Sequence, residues 1–104
     1  MRDDKATPGY RVEVTRDPDV GRWEAHVDGE LAGVLVHRVD EAGRTVLEHT
    51  EVREAFEGRG IGSRLARTAL DEIRAEGGRV VVECPFVRAW LRRHREYDDI
   101  IDRR

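Results

Sequence analysis

The sequence lacks the features that mark several large classes of protein. Its only cysteine is Cys84, which excludes an internal disulfide bond. No apolar run approaches the roughly 20 residues that a membrane-spanning helix needs. The amino-terminal residues also lack the apolar stretch of a signal peptide. We therefore expect a cytoplasmic protein that has no membrane partner.

An excess of basic residues is also absent. Nineteen lysines and arginines against 22 acidic residues give a formal net charge of −3, with a pI of about 5.8. This balance argues against a general nucleic-acid-binding protein. The hydrophobic residues, 38% of the sequence, are clustered and periodic, which favours a folded domain over a disordered chain. We expect one small domain over residues 10–100, after a flexible segment at residues 1–9.

The first half of the sequence alternates between apolar and polar residues, as half-buried β-strands do. Tyr10 begins the first such run, and Asp28-Gly29 is a strong signal for a two-residue hairpin turn. Short turns at residues 17–21 and 40–43 separate the other runs. The pattern predicts an antiparallel meander whose strands span residues 10–15, 23–27, 31–39 and 45–52.

The pattern becomes helical at Ile61, where apolar residues begin to recur every four positions. Gly77-Gly78 predicts that this helix ends after about Glu76. The predicted apolar face comprises Ile61, Leu65, Ala66, Ala69, Leu70 and Ile73. The outer face, which we expect to be solvated, comprises Arg64, Arg67, Asp71 and Arg74.

The remaining sequence predicts a strand and a second helix. Val80-Val81-Val82 is continuously apolar, as is typical of a strand buried on both faces, so the preceding helix should cross over to a parallel fifth strand. Pro85 suits the first turn of a helix. The predicted inner face of that helix comprises Phe86, Val87, Trp90, Leu91 and His94. The fold class is thus α/β (α+β), with a mixed sheet built from the antiparallel meander and a β-loop-α-β-α unit.

Three glycines at alternate positions stand before the first helix, in the segment Glu57-Gly58-Arg59-Gly60-Ile61-Gly62-Ser63. Glycine permits a sharp turn and a close ligand, and the first N–H groups of a helix have no internal partner. Together they predict a site for phosphate or pyrophosphate. The dinucleotide fingerprint would need glycine at Ser63, and the P-loop would need a Gly-Lys pair, which the sequence does not contain. The alternative is a turn whose glycines only satisfy backbone geometry.

The order of the elements and several short motifs resemble the GNAT-type N-acetyltransferases. Gly60 and Gly62 match the Gln/Arg-x-x-Gly-x-Gly/Ala loop of that superfamily, although Glu57 stands where Gln or Arg is usual. The similarity covers about residues 10–100. A closer similarity, to the small single-domain YjdJ-type branch, rests on His49-Thr50-Glu51-Val52, Gly60-Ile61-Gly62-Ser63, Cys84-Pro85-Phe86-Val87, Arg93-His94 and Glu96-Tyr97.

The resemblance implies that the protein binds acetyl-CoA as a cosubstrate. Backbone groups around Thr50, Val52 and Arg53 would pair with the pantetheine arm as an added strand. Arg92 or Arg93 would contact a CoA phosphate, unless this basic helix face is only solvated. The pyrophosphate would bind the amides of the loop residues Gly58, Arg59, Gly60, Ile61, Gly62 and Ser63.

Cys84 is the first candidate for the chemistry, because it lies between a buried strand and the start of a helix. The helix dipole favours a thiolate at such a position. The resemblance places the thioester near this residue, where the thiol would accept the acetyl group or give a proton to the departing CoA thiolate. The alternative is that Cys84 is a small buried hydrophobic residue.

His49 and Glu51 are candidates for relaying a proton from the amine, since an ammonium must lose a proton before it can attack a thioester. Strand alternation places both on one face of the fourth strand, with Glu48 and Thr50 on the other. The alternative is a structural histidine and a surface carboxylate. Tyr97 could also reach the site, but ordinary packing is the simpler interpretation.

The sequence therefore leads to the hypothesis of a minimal acetyl-CoA-dependent N-acetyltransferase that uses no metal. The short turn at residues 17–21 leaves no room for the helices that wall the acceptor pocket of larger GNAT proteins, so the acceptor side should be open. The acceptor amine, a small molecule or a protein lysine, is not specified. Two alternatives are a CoA-binding module without transferase activity and an interaction domain without a cofactor.

Overall fold

Over residues 11–103, which the computed structural model describes, the chain forms five strands and two α-helices. Their bounds are β1 (Val12–Asp17), β2 (Arg22–Val27), β3 (Glu30–Val39), β4 (Thr45–Val52), α1 (Ile61–Ala75), β5 (Val80–Val82) and α2 (Pro85–Leu91). Two 3₁₀ turns, Glu54–Phe56 and Arg95–Ile100, follow β4 and α2. Tyr10 and the segment at residues 1–9 lie outside the described residues.

The sheet confirms the predicted fold class. Its strand order is β1-β2-β3-β4-β5, and every neighbouring pair is antiparallel except β4 and β5. At the hairpin between β2 and β3, Asp28 and Gly29 have φ values of 49° and 87°, as the predicted two-residue turn requires. The crossover through α1 makes β5 parallel to β4, with Thr45 opposite Val80.

One hydrophobic core lies between the sheet and the helices. The predicted apolar face of α1 is buried along its whole length and packs against Trp23 and Leu35, which are fully buried. Val87 and Trp90 of α2 join the same core. No helix in the described part of the chain is long and apolar enough to cross a bilayer.

Two residues assigned to the inner face of α2 lie elsewhere. The helix ends at Leu91, so His94 follows it, and its ring stacks on Trp90 with 3.7 Å between the ring centroids. Phe86 is 42% exposed and lies against Gly62 of α1. The prediction was wrong at both positions. For His94 it extended the helical period beyond the end of the helix, and for Phe86 it could not detect the contact with Gly62.

The outer face of α1 does more than meet solvent, contrary to our expectation. The Arg64 guanidinium donates to the carbonyl oxygen of Val12 at 3.1 Å. Arg74 donates to the Asp99 carboxylate at 2.7 Å. These side chains attach β1 and the C-terminal segment to the helix, because a long arginine can bond a polar group on a neighbouring element.

Candidate active site

β4 and β5 separate shortly after they pair. The amide groups of Glu83 and Cys84 both donate to the carbonyl oxygen of Leu47, at 2.9 and 3.0 Å. Beyond Leu47, the ladders of β4 in the described structure run only to β3. The side of β4 that faced β5 therefore offers backbone groups from Glu48 to Val52 to an extended ligand.

The glycine loop turns the chain from β4 into α1. Gly58 and Gly60 have φ values of 80° and 76°, in the left-handed region that L-residues disfavour. Gly60 is the N-cap of α1 and provides no side-chain hydrogen bond to the helix. The first N–H groups of α1 thus keep their donor capacity and the positive end of the helix dipole. This is the backbone geometry that a phosphate site at a helix start requires.

A cavity of about 280 Å³ lies between this loop and β4. The structure therefore brings the strand part and the loop part of the predicted cofactor site together, although they are separated along the chain. The predicted cofactor-binding residues that line the cavity are Thr50, Val52, Gly58, Gly60, Ile61, Gly62 and Ser63.

Three arginines that we assigned to the cofactor do not line this cavity. Arg53 donates to the carbonyl oxygen of Leu31 at 2.8 Å. The Arg59 guanidinium lies 5.8 Å from the ring centroid of Phe56, and Arg93 is exposed beyond the end of α2. The positive charge at the cavity therefore comes from the backbone, since no basic side chain is among the described lining residues.

Phe56 and Phe86 also line the cavity, and sequence reasoning missed both as site residues. Glu57, which the sequence placed at the start of the loop segment, lines it as well. A Cβ atom at Gly62 would lie only 2.7 Å from the Phe86 ring. Gly62 was the signal that could have revealed this contact, because glycine inside a helix is unfavourable unless another group approaches closely. The Phe86 ring forms one wall of the cavity where α1 begins.

The Cys84 thiol lies behind the cavity wall. Cys84 is 1% exposed, and its Sγ atom lies 3.1 Å from Oγ1 of Thr50, which lines the cavity. Either group can be the donor of this hydrogen bond. A proton can therefore pass between the thiol and the cavity through one hydroxyl group.

His49 and Glu51 lie on the face of β4 opposite to Thr50, as alternation predicted. Nε2 of His49 is 3.0 Å from Oε2 of Glu51, and both side chains are more than half exposed. A register shift between β3 and β4 falls next to Glu48, whose carboxylate bonds Arg38. The two proton-relay candidates therefore form a pair, on the other side of the strand from Cys84.

A network of aromatic and charged side chains lies behind the loop. Nε1 of Trp90 donates to Oγ of Ser63 at 3.1 Å. The Tyr97 hydroxyl donates to Oδ1 of Asp71 at 2.6 Å, and burial together with this bond raises the pKa of Tyr97 to about 12. Tyr97 therefore stays protonated and bound to α1, and it does not line the cavity.

The residues that line the cavity lie in a part of the chain that matches a known protein family. A family model described as GCN5-related N-acetyl-transferase matches residues 22–100, which include β4, the glycine loop, α1 and β5. The chain belongs to the GCN5-related N-acetyltransferase family. It has the fold of that family, in which the sheet is mixed and β4 and β5 are parallel. The YjdJ-type branch stays a prediction.

The chain is also similar to two individual proteins. The chain is 27% identical over 90 residues to protein NATD1 of Xenopus tropicalis, a match that covers 86% of this chain and 83% of the relative. It is 41% identical over 46 residues to protein NATD1 of Bos taurus, covering 44% of this chain and 41% of that one.

One solved structure shares the fold. It is the ribosomal-protein-alanine N-acetyltransferase from Brucella melitensis biovar Abortus 2308, with a TM-score of 0.54 and 24% identity. The match covers 62% of this chain and 49% of the other, so this chain spans about half the length of that structure. At this identity the likeness shows the fold alone.

Proposed function

We propose that this chain is an acetyl-CoA-dependent N-acetyltransferase, with residues 10–100 as one minimal domain. The observation that carries the proposal is the cavity that joins the helix start at Gly60 to the open side of β4. The helix start suits a diphosphate, and the open strand suits an amide-rich arm that pairs as a strand does. CoA joins such an arm to a diphosphate.

The diphosphate would bind the amides of residues 58–63. Ser63 would add its hydroxyl group: because Nε1–H of Trp90 occupies one lone pair of Oγ, the hydroxyl proton is free for a phosphate oxygen. Glu57 opposes this binding, since this acidic residue lines the same cavity. Backbone amides, and not arginines, would supply most of the attraction.

The pantetheine arm would lie along Thr50 to Val52 and bring the thioester to the point where β4 and β5 separate. An amine nitrogen then attacks the carbonyl carbon, so that a C–N bond forms and the C–S bond breaks. The amine gives up a proton and the CoA thiolate takes one up. We assign the first proton to His49, which Glu51 orients at 3.0 Å, and the second to the hydroxyl of Thr50.

Cys84 would resupply the proton that Thr50 gives away. The 3.1 Å contact between Sγ and Oγ1 supports this role, and so does the burial of the thiol, because Thr50 stands between Cys84 and the cavity. A covalent route would form an acetyl-Cys84 thioester before the amine arrives. Mass spectrometry of protein incubated with acetyl-CoA alone distinguishes the two routes, and this account expects no acetylated Cys84.

The acceptor would approach from the side of His49 and Glu51. The connection between β1 and β2 covers only residues 18–21, so no helix in it walls this side. Both side chains are more than half exposed, which suits an amine carried on a bulky molecule as well as a small one.

The experiment that tests the proposal measures CoA thiol release from acetyl-CoA in the presence of small amines and lysine-containing peptides. Release that depends on an amine is the expected result, together with thermal stabilisation by CoA. A ligand at a hundred times its Kd should add about 2.7 kcal/mol to the unfolding free energy. Thermal stabilisation by CoA without thiol release on any amine would favour a CoA-binding module. The absence of both stabilisation and release would favour an interaction domain.

A further inference from the structure

A second groove, of about 810 Å³, lies along the outer edge of β5, on the side away from β4. Apolar side chains of β5, α2 and the C-terminal segment line it: Val81, Val82, Leu91 and Ile101. We call this the β5-edge groove. Neither the glycine loop nor Thr50 lines it, so it is separate from the cavity described above.

The outer edge of β5 pairs with backbone groups at Val80, but a side chain bonds it at Val82. Ile101 forms a parallel bridge with Val80, and the Asp102 amide donates to the Val80 carbonyl oxygen at 2.7 Å. Two residues later, the Val82 carbonyl points to the same side of the strand, because backbone direction has a period of two. That carbonyl accepts a bond of 2.9 Å from the Arg88 guanidinium. A side chain therefore takes the place that the next strand residue would fill.

The carboxylates at the groove already have arginine partners. Glu83 bonds Arg38 at 3.3 Å, and Asp98 bonds Arg95 at 2.7 Å. The Asp102 carboxylate accepts bonds from Arg79 at 2.5 and 2.9 Å, and this interaction lowers the pKa of Asp102. Each acidic group at the groove is thus neutralised.

Three arginines at the groove have no such partner. Across residues 11–103, neither Arg92 nor Arg103 forms an ion pair with a carboxylate, and the Arg88 guanidinium bonds only the Val82 carbonyl. All three residues are exposed. The groove therefore combines an apolar floor, a strand edge with a replaceable donor, and a surplus of positive charge.

We propose that the β5-edge groove binds an extended, acidic segment of a partner protein, which adds as a strand to the edge of β5 at Val82. Backbone N–H of the segment would replace Arg88 at the Val82 carbonyl, which frees that guanidinium for a carboxylate. Alternate apolar side chains of the segment would face the groove floor, and the carboxylates between them would bind Arg88, Arg92 and Arg103. A nucleic acid strand fits less well, because its phosphates would leave the apolar floor and the carbonyl acceptor unused.

The test is a fluorescence anisotropy titration of the full chain with a labelled peptide of about eight residues that alternates valine and glutamate. The proposal expects saturable binding without CoA, so that its outcome is independent of the acetyl-transfer proposal. Arg92→Glu should weaken binding about tenfold, since an attraction becomes a repulsion. Arg93→Glu, the matched control, makes the same charge change one residue away but outside the groove, and should change binding less than twofold.

Two further probes separate strand addition from charge alone. A peptide with N-methyl groups on alternate amides, which block strand pairing, should lose binding, and so should a valine–lysine peptide. The proposal is overturned if the valine–glutamate peptide does not bind, if N-methylation has no effect, or if Arg93→Glu weakens binding as much as Arg92→Glu. Tighter binding of a labelled oligothymidylate than of the acidic peptide would also overturn it. Melting temperatures of the variants check that each is folded.

Discussion

The two ends of α1 are built differently, although a glycine with positive φ stands at each. At the carboxyl end, Gly77 has a φ of 73°, its N–H donates to Arg74, and the N–H of Gly78 donates to Ile73. These two bonds form the Schellman motif, which satisfies the last carbonyl groups of the helix. At the amino end, Gly60 has a φ of 76°, but no side chain caps the helix.

The difference shows how one backbone conformation can serve either stability or binding. The carboxyl end is closed by its own bonds and by an ion pair of 3.1 Å between Glu76 and Arg16. At the amino end, the first backbone N–H groups of α1 are left without a partner in the described part of the chain, next to a cavity. This arrangement lowers the stability of the protein unless a ligand accepts those hydrogen bonds. Substitutions at the amino end should therefore change CoA affinity as well as stability, whereas those at the carboxyl end should change stability alone.

The largest effect should come from the chemistry next to the amino end, where binding and turnover can be separated. Cys84→Ala should lower turnover about 10²–10⁴-fold, the usual range for a proton-transfer group, with little change in CoA affinity. Thr50→Val should act in the same way, whereas Thr50→Ser should retain activity. Steady-state kinetics and calorimetric CoA titration measure the two quantities. Full activity of Cys84→Ala would remove the thiol from the mechanism and leave His49 and Glu51 as the candidates.

The next effect tests the comparison directly through a matched pair of variants. Neither a Cβ atom at Gly60 nor one at Gly77 would meet another atom within 4 Å, so valine should cost each site about 1–2 kcal/mol of backbone strain. Only Gly60→Val should also weaken CoA binding, by more than tenfold, because a charge-assisted hydrogen bond contributes about 1.5–3 kcal/mol. Urea unfolding and calorimetry check the pair. Equal affinities would mean that the amino end is only a turn.

A pH-dependent effect concerns His37 of β3, which lies near the Arg16 that pairs with Glu76 at the carboxyl end of α1. Both ring nitrogens of His37 are buried without a hydrogen-bond partner, beside Trp23. Burial, and then the nearby Arg16, lower the pKa of His37 below its usual 6.5, although Glu48 acts in the opposite direction. The unfolded chain therefore binds this proton at a higher pH than the folded protein does. The His37 contribution to stability should be complete above about pH 6.5 and decrease as the pH falls through that value.

Urea unfolding between about pH 7.5 and about pH 5.5 measures this decrease. His37→Leu should remove it, because leucine fills the site without a titrating group. His26→Gln, a change at a less buried histidine of β2, should leave it in place. A pH dependence that is the same in His37→Leu as in the original protein would contradict the assignment.

The smallest effect concerns Glu57 at the amino end. This acidic residue lines the cavity in which we place the diphosphate. Glu57→Gln should raise CoA affinity about two- to fivefold, in the range of exposed charge interactions, and the gain should shrink at high salt. Glu54→Gln, an exposed change of equal charge that does not line the cavity, is the control. A gain of equal size in both variants would indicate a general charge effect.

Local patterns were sufficient to predict most of the elements. The bounds of β4 agree with the prediction, and α1 follows its predicted apolar face from Ile61 to Ile73, because periodicity and glycine positions are properties of neighbouring residues. The helix start behind the glycine loop was predictable for the same reason. The inner face assigned to α2 was wrong where helical spacing was carried past Leu91.

The contacts that complete the candidate site could not be predicted from local patterns. Thr50 and Cys84 are 34 residues apart in the sequence, and their bond depends on where β4 and β5 separate. The approach of Phe86 to Gly62 depends in the same way on how α2 packs against α1. Such contacts follow from the packing of distant elements, which neither periodicity nor composition contains.

Amide hydrogen exchange with and without CoA tests the central claim most directly, namely that the cavity between the glycine loop and β4 holds the donor. The account predicts that CoA protects two separate segments, residues 58–63 and residues 50–52, and leaves the carboxyl end of α1 around Gly77 unchanged. Exchange that CoA does not alter in either segment, or protection confined to another part of the chain, would contradict it.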